Sequence, residues 1–115
     1  GGVLLVSEPI IQSWERLNIL RNEWGLESIG MPEQNVYLDE DILINSTKKL
    51  FQHIDTVNFS SSYFISTRVL KPIMSQAVGM VNNIVNPELE WNKISSLFPP
   101  VGDYGIQKLF VFQKT

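Results

Sequence analysis

Few side chains in this sequence have the chemistry for catalysis, and Glu8 is the best placed of them. It follows the apolar run Val3-Leu4-Leu5-Val6, so it falls at the carboxyl end of an expected strand, the edge where open α/β sheets bind ligands. A carboxylate there contacts substrate or takes a proton as general base. The alternative is a strand-end carboxylate that hydrogen-bonds a neighbouring turn. Tyr63, Thr67 and Arg68 form a second set. They either line a substrate pocket, with Arg68 pairing an anionic group, or make a polar face that anchors a helix. Trp14 and Tyr37 can cap a pocket, but an aromatic at helical spacing is more often core, and Trp14 reads that way.

Other chemistries find little support. His53 is the only histidine and there is no cysteine, so disulfides, thiolate metal sites and a cysteine nucleophile are excluded. His53 is placed near a helix end, where an imidazole takes a surface or dipole role. Asp39, Glu40 and Asp41 resemble a carboxylate cluster, yet helix N-termini collect acids for ordinary reasons, and no metal site is expected. No phosphate loop or Ser-His-Asp arrangement is visible. The 115 residues carry 9 basic and 12 acidic side chains, a net of −3, and no basic cluster, which argues against nucleic-acid binding. The Val3–Val6 run is far too short to span a bilayer. A cytoplasmic location fits the missing cysteines.

The elements that must position these residues follow from periodicity. Val3–Val6 is a short continuous apolar run and suits a strand buried on both faces. Ile10, Trp14, Leu17, Leu20 and Trp24 recur at helical spacing, and Gly25 sits where a helix C′ residue needs positive φ. Residues 26–38 read as a loop broken by Gly30, Pro32 and Asn35. A second helix starts near Asp39, with Leu43, Thr47, Leu50 and Ile54 as its inner stripe and Lys48 and Lys49 near its negative end. Val57 and Phe59 alternate with polar residues, as in a half-buried strand. Ser61–Met74 is ambiguous: Phe64, Ile65, Val69 and Leu70 favour a strand by type, while the length and spacing favour a helix, kinked or broken near Pro72. Ala77, Val81, Ile84 and Val85 continue a helical stripe. Asn86-Pro87-Glu88 starts another helix that runs to about Phe98 and stops at Pro99-Pro100. Ile106–Phe112, apolar on both faces after the turn at Gly102 and Gly105, reads as an interior strand.

Several of these segments together resemble the C-terminal half of class I S-adenosylmethionine-dependent methyltransferases. A Gly-Gly turn feeds Val3-Leu4-Leu5-Val6-Ser7-Glu8-Pro9, which is similar to the fifth strand of that fold. Gly102-Asp103-Tyr104-Gly105 followed by Leu109–Lys114 is similar to its last strand. Leu17-Asn18, Trp24-Gly25-Leu26, Asn35 and Tyr63-Phe64-Ile65-Ser66-Thr67-Arg68 look like one subgroup acting on small molecules. The loop before Asn35, Pro32-Glu33-Gln34, departs from the aromatic and histidine expected in close relatives.

The resemblance implies an α/β fold: half of a Rossmann-like sheet ordered 3-2-1-4-5-7-6, contributing strands 5, 7 and 6 with strand 7 antiparallel, plus covering helices. Residues 1–115 would then be one partial domain that lacks the cofactor-binding half, since no Gly-x-Gly-x-Gly occurs in them. It implies part of a methyltransferase acting on a small-molecule acceptor, with Glu8 catalytic and Tyr37, Tyr63, Thr67 and Arg68 at the substrate. S-adenosylmethionine would serve the intact enzyme and would not bind this chain alone. The other readings are a subunit of a split enzyme and a non-catalytic small α/β module that binds a partner through an exposed strand edge. The expected partner is either the missing N-terminal half or a second copy, pairing through the edge Val3–Val6.

Overall fold

The computed structural model of the chain describes residues 2–34, 36–78, 87–99 and 101–115. The expectations for Asn35, Val81, Ile84, Val85, Asn86 and Pro100 lie outside the described residues. The order is β1 (Val3–Pro9), α1 (Ile11–Glu23), α2 (Glu40–Thr47), β2 (Phe51–Val57), α3 (Ser61–Ile65), a π-helical turn (Ser66–Leu70), α4 (Lys71–Val78), α5 (Pro87–Leu97) and β3 (Gln107–Lys114).

The three strands form one sheet in the order β1-β3-β2, and both pairings are antiparallel. A central antiparallel strand is as expected, but among the described residues no two strands pair in parallel, so the Rossmann-like fold class expected from the methyltransferase resemblance is corrected. Among the described residues the one parallel contact is an isolated bridge between Ile10 and Leu38. Nor is β1 buried on both faces. Its exposure alternates, with Val3 65% and Leu5 60% exposed while Leu4 and Val6 are half-buried. A short apolar run has the same composition in an interior strand and in an edge strand with an apolar outer face, so periodicity could not separate them.

β3 is the central strand. Its Phe110 and Phe112 are fully buried with Ile10, and Leu4, Val6, Leu43, Ile44 and Phe51 pack around them. Burying such a phenylalanine contributes about 1.5–3 kcal/mol, so this face, covered by α2, is the stronger side of the sheet. A second cluster forms where the chain enters β3: Leu17, Val69 and Ile106, surrounded by Trp14, Leu20, Ile29, Tyr37, Phe64, Ile73 and Tyr104. Leu109 and Val111 belong to neither cluster.

α1 forms as its spacing predicts. Its end is a Schellman motif, in which Leu26 N–H donates to Arg21 O (2.8 Å) and Gly25 N–H to Asn22 O (3.1 Å), with Gly25 at φ +77°. Trp24 is carried out of the stripe by that turn and is exposed. The N-terminal residue Ile10 has no capping side chain; instead Ile11 N–H donates to Leu38 O at 2.8 Å.

α2 is shorter than its apolar spacing suggests. The expected stripe through Leu50 and Ile54 is corrected: the helix ends at Thr47, and Leu50 and Ile54 are exposed. The hydroxyls of Ser46 and Thr47 bond back to the carbonyls of Ile42 and Leu43, which competes with continuation of the helix. Residues from Phe51 onward are taken into β2 by pairing with β3. The strand expected around Val57 and Phe59 thus lies earlier, and Phe59 is exposed outside it.

Pro72 neither breaks nor ends the helical segment. Lacking an N–H, it leaves the Arg68 carbonyl without its usual i+4 donor. Arg21 Nη1 donates to that carbonyl, and the preceding turn widens to a π-turn in which Lys71 N–H reaches Ser66 O.

Candidate functional site

The densest polar convergence lies where α2, α1 and the start of β3 meet. β3 alternation sends Lys108 to the same face as Phe110 and Phe112, and the residue is 3% exposed. Such a cation needs partners. Its Nζ donates to Glu40 Oε2 (2.8 Å) at the first turn of α2 and to both oxygens of Asp103 (2.8 and 2.9 Å) in the turn before β3. Asp103 also accepts from Asn58 Nδ2 (2.7 Å), Ser13 Oγ (3.3 Å) and Arg16 Nη1. Burial raises the Asp103 pKa, but the hydrogen bonds from Lys108 and Asn58 and the charges of Lys108 and Arg16 together hold it below the usual carboxylate value.

Next to this cluster, Asp39 caps α2. Its Oδ1 accepts from Gln12 Nε2 (2.9 Å), Asp41 N (2.9 Å) and Ile42 N (3.1 Å). The Gln12 bond, followed by those of the backbone amides, lowers its pKa. An open cleft of about 430 Å³ runs past Glu40, Asp41, Thr56, Asn58, Asp103 and Lys108.

Chemically this is a clamp. Lys108 donates to both carboxylates and so ties the α2 N-terminus and the Asp103 turn to the central strand, while Asp103 holds α1 through Ser13 and Arg16. Among the described residues no group of three or more His, Asp or Glu could hold a metal ion. His53 is not near a helix end, as expected, but on β2, where its Nε2 meets Thr56 Oγ1 at 2.6 Å and its ring packs on Phe110 and Phe112.

The residues singled out in the sequence fall apart spatially. Glu8 is exposed on β1, opposite Lys108 in register, and is not in the wall of the 430 Å³ cleft. Tyr37 packs edge-on against Trp14, with ring centroids 6.4 Å apart, and Trp14 Nε1 donates to Ile29 O at 2.9 Å, so Trp14 is core. Tyr63, Thr67 and Arg68 do come together on one helical turn. Thr67 Oγ1 donates to Tyr63 O at 2.7 Å, and the Arg68 guanidinium lies 5.9 Å from the Tyr63 ring and 5.7 Å from that of Phe64.

The second candidate is the outer edge of β1. Lys114 N–H donates to Gly2 O, and Ile10 N–H to Ile106 O, both at 2.8 Å. In this register the even-numbered residues bond to β3, and the odd-numbered ones point their N–H and C=O outward. At Pro9 and Ile11 those groups are occupied by Leu38 (2.9 and 2.8 Å). At Val3, Leu5 and Ser7 they face solvent. This stretch carries no bulge, Lys or Pro, the usual means of blunting an edge. The opposite edge, on β2, has both a register shift between His53 and Asp55 and the Asp55 charge.

No protein-family model, curated protein or solved structure matches the chain. This overturns the methyltransferase resemblance and the functions it implied. The described residues show neither the topology that builds an S-adenosylmethionine site nor a group of side chains that could hold a metal ion, so the assignments as a substrate-side half of a transferase and as part of an enzyme using that cofactor are withdrawn. The resemblance rested on short segments in order, and such segments recur wherever an apolar strand meets a glycine turn. Among the described residues no helix is long and apolar enough to cross a membrane.

The Lys108 clamp went unnoticed in the sequence. Its one signal is a lysine in phase with Phe110 and Phe112 on a buried face, which demands carboxylate partners; their positions at Glu40 and Asp103 had no local mark.

Proposed function

We propose that this chain is a non-catalytic α/β module that binds a partner by adding an extended strand to the outer edge of β1. The observation that supports the reading is the row of outward backbone groups at Val3, Leu5 and Ser7, flanked by the exposed Val3 and Leu5 side chains. Main-chain hydrogen bonds supply affinity in such strand addition, and alternate side chains supply selectivity. Glu8, exposed at the far end of the edge, is the charge a visiting strand meets. A cytoplasmic setting, where partners are reduced, fits a chain without cysteine.

The test is selection of extended peptides from a displayed library against the full chain. Selected peptides are expected to alternate apolar residues and to slow amide exchange at Val3, Leu5 and Ser7. Leu5→Pro removes an outward donor and leaves the β1–β3 bonds intact, and is expected to lower peptide affinity at least tenfold. Peptides that bind Leu5→Pro equally well, or protect amides elsewhere, would rule the edge out.

A further inference from the structure

We infer that the strand received by this edge is β1 of a second copy, paired antiparallel about a two-fold axis at Leu5. The inference rests on the edge-binding reading and names its partner. Outward-facing residues must meet outward-facing residues, because in an antiparallel pair they exchange both N–H···O bonds. The edge offers Val3, Leu5 and Ser7, so a symmetric register centred on Leu5 sets Leu5 against Leu5 and Val3 against Ser7 of the other copy. Every open group is then used, giving about six hydrogen bonds. A shift centred on Val6 sets Val3 opposite Pro9, which has no N–H and whose carbonyl already accepts from Leu38. A shift centred on Leu4 takes Ser7 past Gly2, off the described strand.

Side chains favour the same register. Leu4 meets Val6 of the other copy in the close, non-hydrogen-bonded pairs. Both already pack against the Phe110 and Phe112 cluster, so the two cores join across the axis. On the opposite face Leu5 meets its counterpart and Val3 meets Ser7 of the other copy, beside Leu109 and Val111, which no described core cluster covers. Glu8 falls opposite Gly2, so the one charge of β1 does not face its own copy. An isologous contact of this kind closes at two copies, because the β2 edges left outermost carry the bulge and Asp55.

The chain has no cysteine, so single cysteines report the register directly. Sedimentation of the full chain from about 5 to 200 μM, the range expected of a small interface, should show the mass rising to twice the monomer value. Leu5→Pro, or Leu5→Lys if the proline variant folds poorly, should weaken association at least tenfold. Leu5→Cys should oxidise to a covalent dimer, because opposed Cα atoms in a hydrogen-bonded pair lie about 5.5 Å apart, within disulfide reach. Val3→Cys should not link to itself, since the two positions are offset by about 13 Å, but should link to Ser7→Cys when the two are mixed. A wild-type monomer at every concentration overturns the second copy as partner, and peptides that still select to β1 would then keep the edge-binding reading. A dimer that survives Leu5→Pro and Leu5→Lys, or in which Val3→Cys links to itself, also overturns the inference.

Discussion

Replacing Lys108 by Met tests whether the buried clamp holds the helices to the sheet. The methionine keeps most of the lysine stem in place, so no large cavity is created and the lost term is electrostatic. Lys108 is 4% exposed as a side chain, whereas Glu40 is 19% and Asp103 37% exposed. Removing one partner of a fully buried ion pair costs about 3–5 kcal/mol. Here Asp103 keeps Asn58, Ser13 and Arg16 and water reaches it, so most of the cost falls on Glu40, and about 2–3 kcal/mol is expected after that screening. With a urea m-value of about 1–2 kcal/mol/M, the unfolding midpoint should drop by about 1–3 M. Adding Glu40→Gln to Lys108→Met removes the stranded charge and should recover about 1 kcal/mol, a coupling that a double-mutant cycle reads directly. If Lys108→Met unfolds within about 0.5 kcal/mol of wild type, the ordinary range of a surface substitution, the clamp is not what joins these elements. If Glu40→Gln adds to the loss, the stranded-charge argument is wrong.

Two further outcomes follow from the same region. The Asp103 pKa is depressed in the folded state, so its stabilising contribution is complete above the unfolded carboxyl value of about 4 and is lost as pH falls below that through the folded value. Asp103→Asn should therefore be less stable than wild type at pH 7, and the gap should shrink as pH falls below about 4; a gap in urea midpoint that stays constant as the pH is lowered would refute the linkage. Gly105→Ala should cost about 1–3 kcal/mol from overpacking, because a Cβ there lies 2.5 Å from the Ser61 backbone nitrogen and closer still to Asn58 Oδ1 and Ser60 Oγ. A thermal midpoint equal to wild type would show that the turn relaxes freely.

Local codes in this sequence determined local structure. Leu17 at helical spacing with Gly25 behind it specified α1 and its Schellman end, Asp39 specified the start of α2, and apolar residues on both faces of Leu109–Phe112 marked a strand fit for the middle of a sheet. Each of these signals lies within a turn or two of the backbone it controls. What the tertiary structure decided is everything that depends on a distant partner. Leu50 and Ile54 have helical spacing with Leu43, yet pairing with β3 took Phe51–Val57 into the sheet. Pro72 passed inside a helical segment because Arg21, far back in the chain, supplies the donor its Arg68 carbonyl lost. Val3–Val6 has the composition of a strand buried on both faces, and only the packing of the fold left its Val3 and Leu5 side exposed. The charge of Lys108 was plain in the sequence, but its partners Glu40 and Asp103 reach it from separate elements, and no spacing rule connects groups that meet only when the chain has folded.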